Sequence, residues 1–297
     1  MIGIIDIGSN TVRMNVYKIY KDEFKLLFSV KEMAGLAAQI ESGLLLEAGL
    51  QNLIRILTIF KQTVDIVGIK DVYPFATASL RLIDNSKSVL DRIKDETGFD
   101  VQLLSGEEEG KLGVIGATSD FSVPKAVLVD IGGGSCEVVP FENELVLAAD
   151  SYPLGSLSMY KQFVSGLIPT KDEQKEIKKY SKQLIDSELI KTNKYISVVG
   201  VGGTIRALLK LKKYMDNDYS DSNQLTLKQL KLMLEKCGNG SREAQDTILK
   251  VVPDRIHTLI PGLCVLIGIL QNINCVEVLV SKYGVREGYL IRHVLNI

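Results

Sequence analysis

Two short stretches of the sequence share one design: IGIIDIGSNT at residues 2–11 and AVLVDIGGGS at residues 126–135. Each is a run of aliphatic residues that ends in aspartate, one further residue and then glycine. Such a run predicts a buried β-strand, and the glycine predicts a tight turn directly after it. Because this element occurs near the start and again near the middle of the chain, it indicates that one domain is present twice.

Further elements repeat in the same order after each of these strands. A second strand-like run with a turn follows at TVRMNVYKIYKDE and at CEVVPFENE. A strand then leads into a helix that carries an arginine, in VYPFATASLRL and in ISVVGVGGTIRALLK, and a strand with a Glu-Gly pair closes each half, in VQLLSGEEEG and in VEVLVSKYGVREG. Amphipathic helices such as the one predicted for residues 47–67 lie between these elements. The order predicts a duplicated α/β fold with mixed sheets flanked by helices.

The boundary between the two predicted domains lies near TSDFSVPK, residues 118–125, where small and turn-forming residues separate the two patterns. We therefore predict an N-terminal domain of residues 1–120 and a C-terminal domain of residues 121–297. The last helix, at about 284–297, is a candidate to pack back on the first domain. No proline-rich or low-complexity linker separates the halves, which favours a close hinge over a tether.

Composition and charge argue against several classes of partner for this protein. The chain has 35 Lys and Arg against 36 Asp and Glu, a net charge of -1, which argues against a nucleic-acid partner and against a basic track for a long polyanion. The longest apolar stretch, LIPGLCVLIGIL, is shorter than the ~20 residues that span a bilayer and contains Pro261, so it predicts a buried helix and no membrane partner. The four cysteines lack CxxC spacing, and we expect a cytoplasmic protein with reduced thiols.

An aspartate followed by a glycine turn offers a phosphate two kinds of contact. Glycine amides can bond the phosphate oxygens without obstruction from a side chain, and the carboxylate can hold a hydrated Mg²⁺. Asp6 and Asp130 are therefore candidate metal ligands. The candidate phosphate donors are Ser9, Asn10, Gly132, Gly133, Gly134 and Ser135. One such element alone is more often only a tight turn, but two at matched positions predict a phosphate site in the cleft between the domains.

The motifs DIGSN, ATASLR, SGEEEG, DIGGGSCE, GVGGT and R...L.PG occur in this order along the chain. In order and spacing they resemble the exopolyphosphatase and guanosine pentaphosphate phosphatase (Ppx/GppA) family, which belongs to the actin-like ATPase superfamily. The resemblance implies two ribonuclease-H-like domains with the active site in the interdomain cleft. One departure is Cys136, where the family usually has Thr or Ser, and we expect it to alter packing rather than chemistry.

The resemblance places the catalytic base at Glu109, the last Glu of GEEEG, and a second active-site acid at Glu137. The residues themselves are compatible with this. Ser105 and Glu108 form an S-x-x-E capping box, so that Glu109 falls in the first turn of a helix. An acid at that position often only stabilises the helix dipole, and a strand carboxylate such as Glu137 is often only solvated. The family motif favours the catalytic roles.

Arg81 in ATASLR is predicted on the first turns of a helix, where Thr77 or Ser79 can cap the helix. A guanidinium there can make two parallel hydrogen bonds to a phosphate, which Lys cannot, and the alternative is a surface salt bridge. Gly202, Gly203 and Thr204 of GVGGT correspond to a segment that contacts adenosine in nucleotide-binding members of the superfamily. The resemblance leaves direct contact of this segment with a ligand open.

These observations predict a Mg²⁺-dependent phosphohydrolase, with Mn²⁺ as an alternative metal, in which Glu109 activates water. It would release terminal orthophosphate from inorganic polyphosphate or from guanosine pentaphosphate, so that the expected partners are polyphosphate or guanosine penta- or tetraphosphate; a homodimer is left open. Two alternatives remain: an ATP-dependent small-molecule kinase of the same superfamily, and a non-catalytic alarmone or polyphosphate sensor. Phosphate release without an acceptor separates hydrolase from kinase. The carboxylates Asp6, Glu109, Asp130 and Glu137 weigh against a sensor.

Overall fold

The computed structural model describes residues 1–21, 23–119, 122–143, 145–185, 195, 197–218 and 220–296. The strands are β1 (Ile2–Ile7), β2 (Thr11–Tyr20), β3 (Glu23–Met33), β4 (Ile40–Glu41), β5 (Leu44–Leu45), β6 (Asp71–Ala76), β7 (Gln102–Leu103), β8 (Lys125–Ile131), β9 (Cys136–Glu142), β10 (Leu145–Val146), β11 (Asp150–Tyr152), β12 (Val198–Val201), β13 (Gln224–Thr226) and β14 (Glu277–Val280). The helices are α1 (Glu47–Val67), α2 (Ala78–Arg81), α3 (Ser86–Thr97), α4 (Gly106–Thr118), α5 (Ser156–Phe163), α6 (Lys171–Leu184), α7 (Gly202–Met215), α8 (Leu227–Cys237), α9 (Arg242–Val251), α10 (Leu259–Asn272) and α11 (Val285–Tyr289). Short 3-10 turns at Leu36–Ala38 and Pro253–Arg255 and a π-helical turn at Leu290–Leu295 complete the described elements.

The chain divides into two compact units: unit 1 comprises Met1–Glu109 and Leu290–Ile297, and unit 2 comprises Gly110–Tyr289. The division therefore falls inside α4, whereas the sequence predicts it at residue 120. The physical reason is that the glycine face of α4 packs against unit 2, with Gly110 against the side chain of Val139. Asp120 and Phe121 of the predicted boundary segment lie outside the described residues.

Unit 1 is built on a five-stranded sheet in the order β3-β2-β1-β6-β7. The first three strands pair antiparallel, and β6 and β7 continue the sheet parallel to β1. Helix α1 has the bounds that its apolar period predicts, and its inward face is buried at Leu50, Leu53, Ile54, Leu57 and Phe60. Full burial of one such side chain stabilises the fold by about 1.5–3 kcal/mol relative to its exposure, so that α1 fixes one face of the sheet.

Unit 2 repeats this arrangement with the sheet order β10-β9-β8-β12-β14-β13, and β11 also pairs with β9. Strands β8, β9 and β10 pair antiparallel, and β12 and β14 continue the sheet in parallel. The apolar stretch predicted to be a buried helix is α10, in which residues Leu259 to Leu270 are all buried. Across the described ranges, no helix has both the length and the apolar character that crossing a membrane requires.

The five strands of the sheet in unit 1 have counterparts in the same order in unit 2, which adds β13 and β11, and this confirms the predicted duplicated α/β fold. Both hairpins also have the same register. Asp6 of β1 lies opposite Arg13 of β2, and Asp130 of β8 lies opposite Glu137 of β9. The two aspartates therefore occupy equivalent positions, one residue before the end of the first strand of each unit.

The contact between α4 and the segment around α11 in unit 2 is made backbone to backbone. A β-carbon on Gly116 would overlap the carbonyl oxygen of Gly284, and one on Gly288 would overlap the carbonyl oxygen of Leu112. Gly113, one turn before Gly116, is less constrained, because a β-carbon there would lie 3.5 Å from the side chain of Leu128, an ordinary contact. The glycines of α4 are therefore not equivalent in what they tolerate.

We predict that Gly116→Ala lowers the stability of the fold by about 1–3 kcal/mol, because the added methyl group must displace backbone rather than a movable side chain. The matched control is Gly113→Ala, which fits the available space and replaces glycine by the best helix former, so that its expected effect is neutral or stabilising. Denaturant unfolding of the two variants beside the wild type measures the difference. Equal stability of Gly116→Ala and Gly113→Ala would contradict the described packing of α4.

Candidate active site

In unit 1, the carboxyl end of β1 carries the first predicted site residue. Asp6 is half-buried in a strand whose other residues are buried, and Arg13 lies directly opposite it in the antiparallel pair. Residues opposite each other on antiparallel strands share one face of the sheet. Asp6 and Arg13 are therefore neighbours at the mouth of the first loop.

Ser9 and Asn10 form the turn that follows β1. The amide of Gly8 donates to the carbonyl of Thr11 at 3.1 Å and closes the turn. The carbonyl of Ser9 accepts from the amide of Ala37, and the carbonyl of Asn10 accepts from the amide of Ala34, each within 3.0 Å. The carbonyls thus tie the turn to the chain that follows β3, and the half-buried side chains of Ser9 and Asn10 remain part of the loop surface.

Helix α2 begins at the end of β6, next to β1. The carbonyl of Ile7 accepts from the amide of Thr77 at 3.4 Å and from the hydroxyl of Ser79 at 3.1 Å. The prediction that Thr77 or Ser79 caps α2 is wrong, because the side chain of Thr77 makes no capping bond and the hydroxyl of Ser79 joins the helix to β1 instead. This bond holds the first turn of α2 against the strand that carries Asp6.

Arg81 at the end of α2 is paired with Glu109, the predicted base. Its Nη1 donates to the carbonyl oxygen of Leu104 at 2.8 Å and to Oε2 of Glu109 at 3.1 Å. Both side chains are largely buried, with 17% of Arg81 and 12% of Glu109 exposed. Arg81 therefore makes an inward ion pair and not a surface salt bridge, and it fixes the position of one oxygen of Glu109.

The start of α4 has the capping box that the sequence predicts. The amide of Ser105 donates to Oε2 of Glu108 at 2.8 Å, and the amide of Glu108 donates to the hydroxyl of Ser105 at 3.1 Å. The amide of Glu109 donates to the carbonyl of Ser105, so Glu109 lies in the first helical turn. The exposed Glu107 and Glu108 and the inward Glu109 thus have separate environments, although they are consecutive.

In unit 2, the glycine loop between β8 and β9 is held by its carbonyl groups. The carbonyl of Gly132 accepts from the amide and the hydroxyl of Ser156, and the carbonyl of Gly133 accepts from the amides of Leu157 and Ser158, all at 2.9–3.1 Å. The hydroxyl of Ser158 donates to the carbonyl of Gly134 at 2.9 Å. The first turn of α5 therefore binds every carbonyl of the three-glycine run.

This arrangement leaves two amides of the loop available, whereas the amide of Gly132 donates to the carbonyl of Ser135 at 3.0 Å. Within the part of the chain that the structure describes, the amide groups of Gly133 and Gly134 donate to no protein acceptor. Successive loop amides with no competing side chain form a concavity that suits an anion. The geometry therefore supports a phosphate contact at Gly133 and Gly134 more directly than the sequence alone could.

Asp130 and Glu137 lie opposite each other on β8 and β9 beside this loop. Glu137 is buried, and its Oε1 accepts from the hydroxyl of Ser135 at 2.7 Å and from the hydroxyl of Ser151 at 2.9 Å. It is therefore not the solvated strand carboxylate that was the alternative. Cys136, next to Glu137 on β9, is fully buried. Burial, and then the negative charges of Glu137 and Asp130, raise the pKa of its thiol, which stays protonated.

The GVGGT segment lies against Asp130 and against Ser156, the serine that binds the glycine loop. Gly202 has a φ of 81°, and its Cα is so close to Oδ1 of Asp130 that a β-carbon would overlap that oxygen. Thr204 is buried, and its hydroxyl donates to the hydroxyl of Ser156 at 3.5 Å. Since Ser156 also binds Gly132, the start of α7 and the glycine loop are joined through one serine.

Arg255 is a site residue that the sequence reasoning missed. Its guanidinium lies against Gly203, and Nη1 donates to the hydroxyl of Thr204 at 3.4 Å. Burial lowers the pKa of Arg255, with the charge of Asp254 opposing the shift, but an arginine stays protonated at neutral pH. Arg255 is the first residue of the motif R...L.PG, and its place in that motif is the sequence signal that could have identified it.

Asp6 and Asp130 are the carboxylates that are expected to hold the metal. Among the described residues, no three His, Cys, Asp or Glu side chains form a cluster that encloses a cation. Mg²⁺ usually keeps several waters and binds through one or two carboxylates together with substrate phosphates. Asp6 at the end of β1 and Asp130 beside the glycine loop are each a hard oxygen donor of that kind, so each of them fits a cation that is bound with its phosphate.

One arginine contact occurs at the same place in both units. Arg206 on α7 donates to the carbonyls of Ser281 and Lys282 after β14, as Arg81 on α2 donates to the carbonyl of Leu104 after β7. The bond from this arginine to the chain after the last parallel strand is thus common to both copies.

The Glu-Gly pairs that repeat in the sequence do not occupy equivalent positions in the two units. Glu287 accepts from the amide of Gly284, so it occupies the capping position of Glu108. Counted from the cap, the position of Glu109 is taken in unit 2 by Gly288, where close packing on Leu112 leaves no room for a side chain. The alignment by sequence was one residue out of register, and only unit 1 has a carboxylate at this position.

The predicted site residues fall into two groups. Unit 1 carries Asp6, Ser9, Asn10, Arg81 and Glu109, of which the structure pairs the last two; unit 2 carries Asp130, Gly132, Gly133, Gly134, Ser135, Glu137, Gly202, Gly203 and Thr204, which it brings together around the glycine loop. That the two groups share one cleft stays a prediction. Ser151, Ser156 and Arg255 join the second group, and no local sequence signal pointed to the two serines.

A model of the Ppx/GppA phosphatase family matches residues 15–297. The exopolyphosphatase 1 of Mycobacterium tuberculosis is 25% identical over 98% of this chain and 87% of its own length. The crystal structure of the Ppx/GppA family member from Aquifex aeolicus has a TM-score of 0.82 and 26% identity, and the match covers 99% of this chain and 97% of that one. An exopolyphosphatase from Cytophaga hutchinsonii has a TM-score of 0.88 at 22% identity over 99% of this chain and 97% of its own, which shows a common fold. Because the family model matches nearly the whole chain, the protein belongs to the Ppx/GppA phosphatase family.

Proposed function

We propose that this protein is a phosphohydrolase that releases terminal orthophosphate from inorganic polyphosphate. The observation that carries the proposal is the largely buried Glu109, held by Arg81 in the first turn of α4. A sensor has no need of a fixed carboxylate that can accept a proton from water. The similarity to proteins named exopolyphosphatases supports polyphosphate as the substrate.

Hydrolysis of a phosphoanhydride requires a positioned phosphoryl group, neutralised charge and an aligned water. In the proposed mechanism, the amides of Gly133 and Gly134 and the guanidinium of Arg255 bind oxygens of the terminal phosphate. The water oxygen bonds to phosphorus as the bond from phosphorus to the bridging oxygen breaks, and Glu109 accepts a proton from the water. The polymer leaves one phosphate shorter.

The ion pair with Arg81 is compatible with this role for Glu109. A carboxylate beside a cation is a weak base, but phosphoryl transfer passes through a loose transition state that needs little help from a strong base. The carboxylate then both orients the attacking water and accepts its proton. The bond from Arg81 to Oε2 of Glu109 restricts the carboxylate to one position and so supplies this orientation.

The remaining site residues have supporting roles in the proposal. Glu137 accepts from Ser135 and Ser151 and so fixes the hydroxyl of Ser135 at the end of the glycine loop. Asp6 and Asp130 would hold Mg²⁺, or Mn²⁺, which when bound neutralises charge on the phosphate oxygens. Ser9 and Asn10 would supply further donors from the loop of unit 1.

The experiment that tests the function is phosphate release from polyphosphate, tripolyphosphate and guanosine pentaphosphate, each assayed with Mg²⁺ and with excess chelator. We expect release from polyphosphate without any acceptor, loss of release in chelator, and recovery on return of Mg²⁺ or Mn²⁺. Faster release from guanosine pentaphosphate would favour the alternative substrate. Binding without release would favour a sensor, and turnover only with ATP and an acceptor would favour a kinase.

Glu109→Gln is predicted to lower kcat by ~10²–10⁴-fold, the range that general bases contribute, because glutamine keeps the shape of the side chain but cannot accept the proton. Affinity for polyphosphate should change little, since the lost group acts in the chemical step. Steady-state kinetics together with direct binding of polyphosphate to the variant measures both quantities.

Neighbouring residues provide the controls for this substitution. Glu107→Gln removes an exposed charge, and Glu108→Gln keeps an oxygen that can accept from the amide of Ser105, so both should retain nearly the wild-type kcat. A Glu109→Gln enzyme that turns over at the wild-type rate would exclude Glu109 as the base and make Glu137 the next candidate.

Arg81→Lys is predicted to lower kcat/KM by about 10–100-fold, because an ammonium cannot reproduce the planar guanidinium that contacts both Leu104 and Glu109. The matched control is Arg92→Lys, which changes an arginine that pairs with Glu47 and Glu96 on the surface of unit 1 and should leave kcat/KM unchanged. If the two variants have the same kinetics, the pair of Arg81 with Glu109 has no role in catalysis.

A further inference from the structure

Unit 2 has a groove that is separate from the glycine loop and is rich in lysine. Its volume is about 690 Å³. The lining residues are Lys171, Gln174, Lys175 and Lys178 of α6; Lys231, Leu234, Glu235 and Lys236 of α8; Ile267 and Gln271 of α10; and Gly238 and Asn239 after α8. We refer to it below as the lysine groove.

The walls of the lysine groove follow from helix geometry. Lys171, Lys175 and Lys178 are separated by four and three residues, a spacing that places side chains on one face of a helix. The buried Gln174 joins the two walls, because its Nε2 donates to the carbonyl of Pro169 at 2.8 Å and to the carbonyl of Gly238 at 2.6 Å. The groove is therefore formed mainly by packed helices, and only Gly238 and Asn239 of its lining come from a loop.

The charge of the groove is strongly positive. Five lysines line it against one carboxylate, that of Glu235. Lys175 also pairs with Asp172 at 2.8 Å, but both side chains are exposed, and pairs of this kind contribute little. A lysine is a mobile point charge without the fixed geometry of a guanidinium, so a row of lysines suits a polymer of repeated charges better than a single shaped ligand.

Helix α10 connects the lysine groove to the glycine loop. At its first turn, Gly262 packs against Thr204 and Ser156, and Ser156 binds the carbonyl of Gly132. Ile267 and Gln271, which line the groove, follow five and nine residues later on the same helix. At a rise of about 1.5 Å per residue, this is roughly 8–14 Å along the helix axis. A long linear polymer can extend over such a distance, whereas three phosphates that are bound at the loop cannot.

We propose that the lysine groove binds inorganic polyphosphate and acts as a second contact for chains longer than a few phosphates. The identity of the polyanion rests on the proposed function. The near-zero net charge of the sequence argues against a basic track for a long polyanion. The proposal departs from that expectation, because the positive charge of the groove is local. Long chains are therefore the better substrates.

The test removes three groove charges in the variant Lys175→Gln/Lys178→Gln/Lys231→Gln. Its matched control, Lys70→Gln/Lys87→Gln/Lys210→Gln, removes three exposed lysines elsewhere. We expect the groove variant to raise KM for long-chain polyphosphate by about ten-fold at low salt and to leave kcat/KM for tripolyphosphate unchanged. The control should match the wild type with both substrates.

Direct binding of long-chain polyphosphate over a salt series keeps this test independent of catalysis. The groove variant should bind more weakly and with a shallower salt dependence, because fewer counterions are released. If the wild type hydrolyses no substrate, the proposed function fails, and this binding comparison still decides the role of the groove. Three results would overturn the proposal: unchanged binding by the variant, an equal loss for tripolyphosphate, or equal competition by a single-stranded oligonucleotide with the same number of phosphates.

Discussion

Parallel pairing of the first strand of each unit with the strand that leads into α2 or α7 is the constraint on which the unit depends. It joins β1 to β6 in one unit and β8 to β12 in the other, and it brings the end of one strand beside the start of the helix that follows its neighbour. Ile7 can therefore bind the first turn of α2, and Asp130 can lie against Gly202. Without this register, neither aspartate would be next to a helix start, and the glycine loop would have no wall.

Local patterns were sufficient to predict much of the fold. The bounds of α1, the burial of α10 and the capping box of Ser105 and Glu108 depend on residues within a turn or two of one another. The pairing of Arg81 with Glu109 could not be predicted in the same way, because 28 residues separate the two and the contact depends on how α2 meets the start of α4. Arg255 lay within a recognised motif, but only the packed start of α7 shows what its guanidinium contacts.

The net charge of a chain does not show where positive charges cluster on its surface. A sum over the chain does not record where charges lie, and in that sum the lysines of α6 and α8 are offset by acids elsewhere in the chain. The sequence shows which lysines share a face of each helix, but it does not show that the lysine-bearing faces of α6 and α8 meet at one groove. That meeting depends on the packing of both helices on α10, to which Ile267 and Gln271 belong.

The glycine at position 288 limits which substitutions the fold can accept. The two units use equivalent positions differently: unit 1 has a carboxylate at Glu109, and unit 2 has a backbone contact between Gly288 and Leu112 of α4. A single mutation cannot restore symmetry, since any side chain at 288 would displace the main chain of Leu112. At this position, therefore, unit 1 can carry a reactive side chain and unit 2 cannot, unless the contact between α4 and α11 is rebuilt.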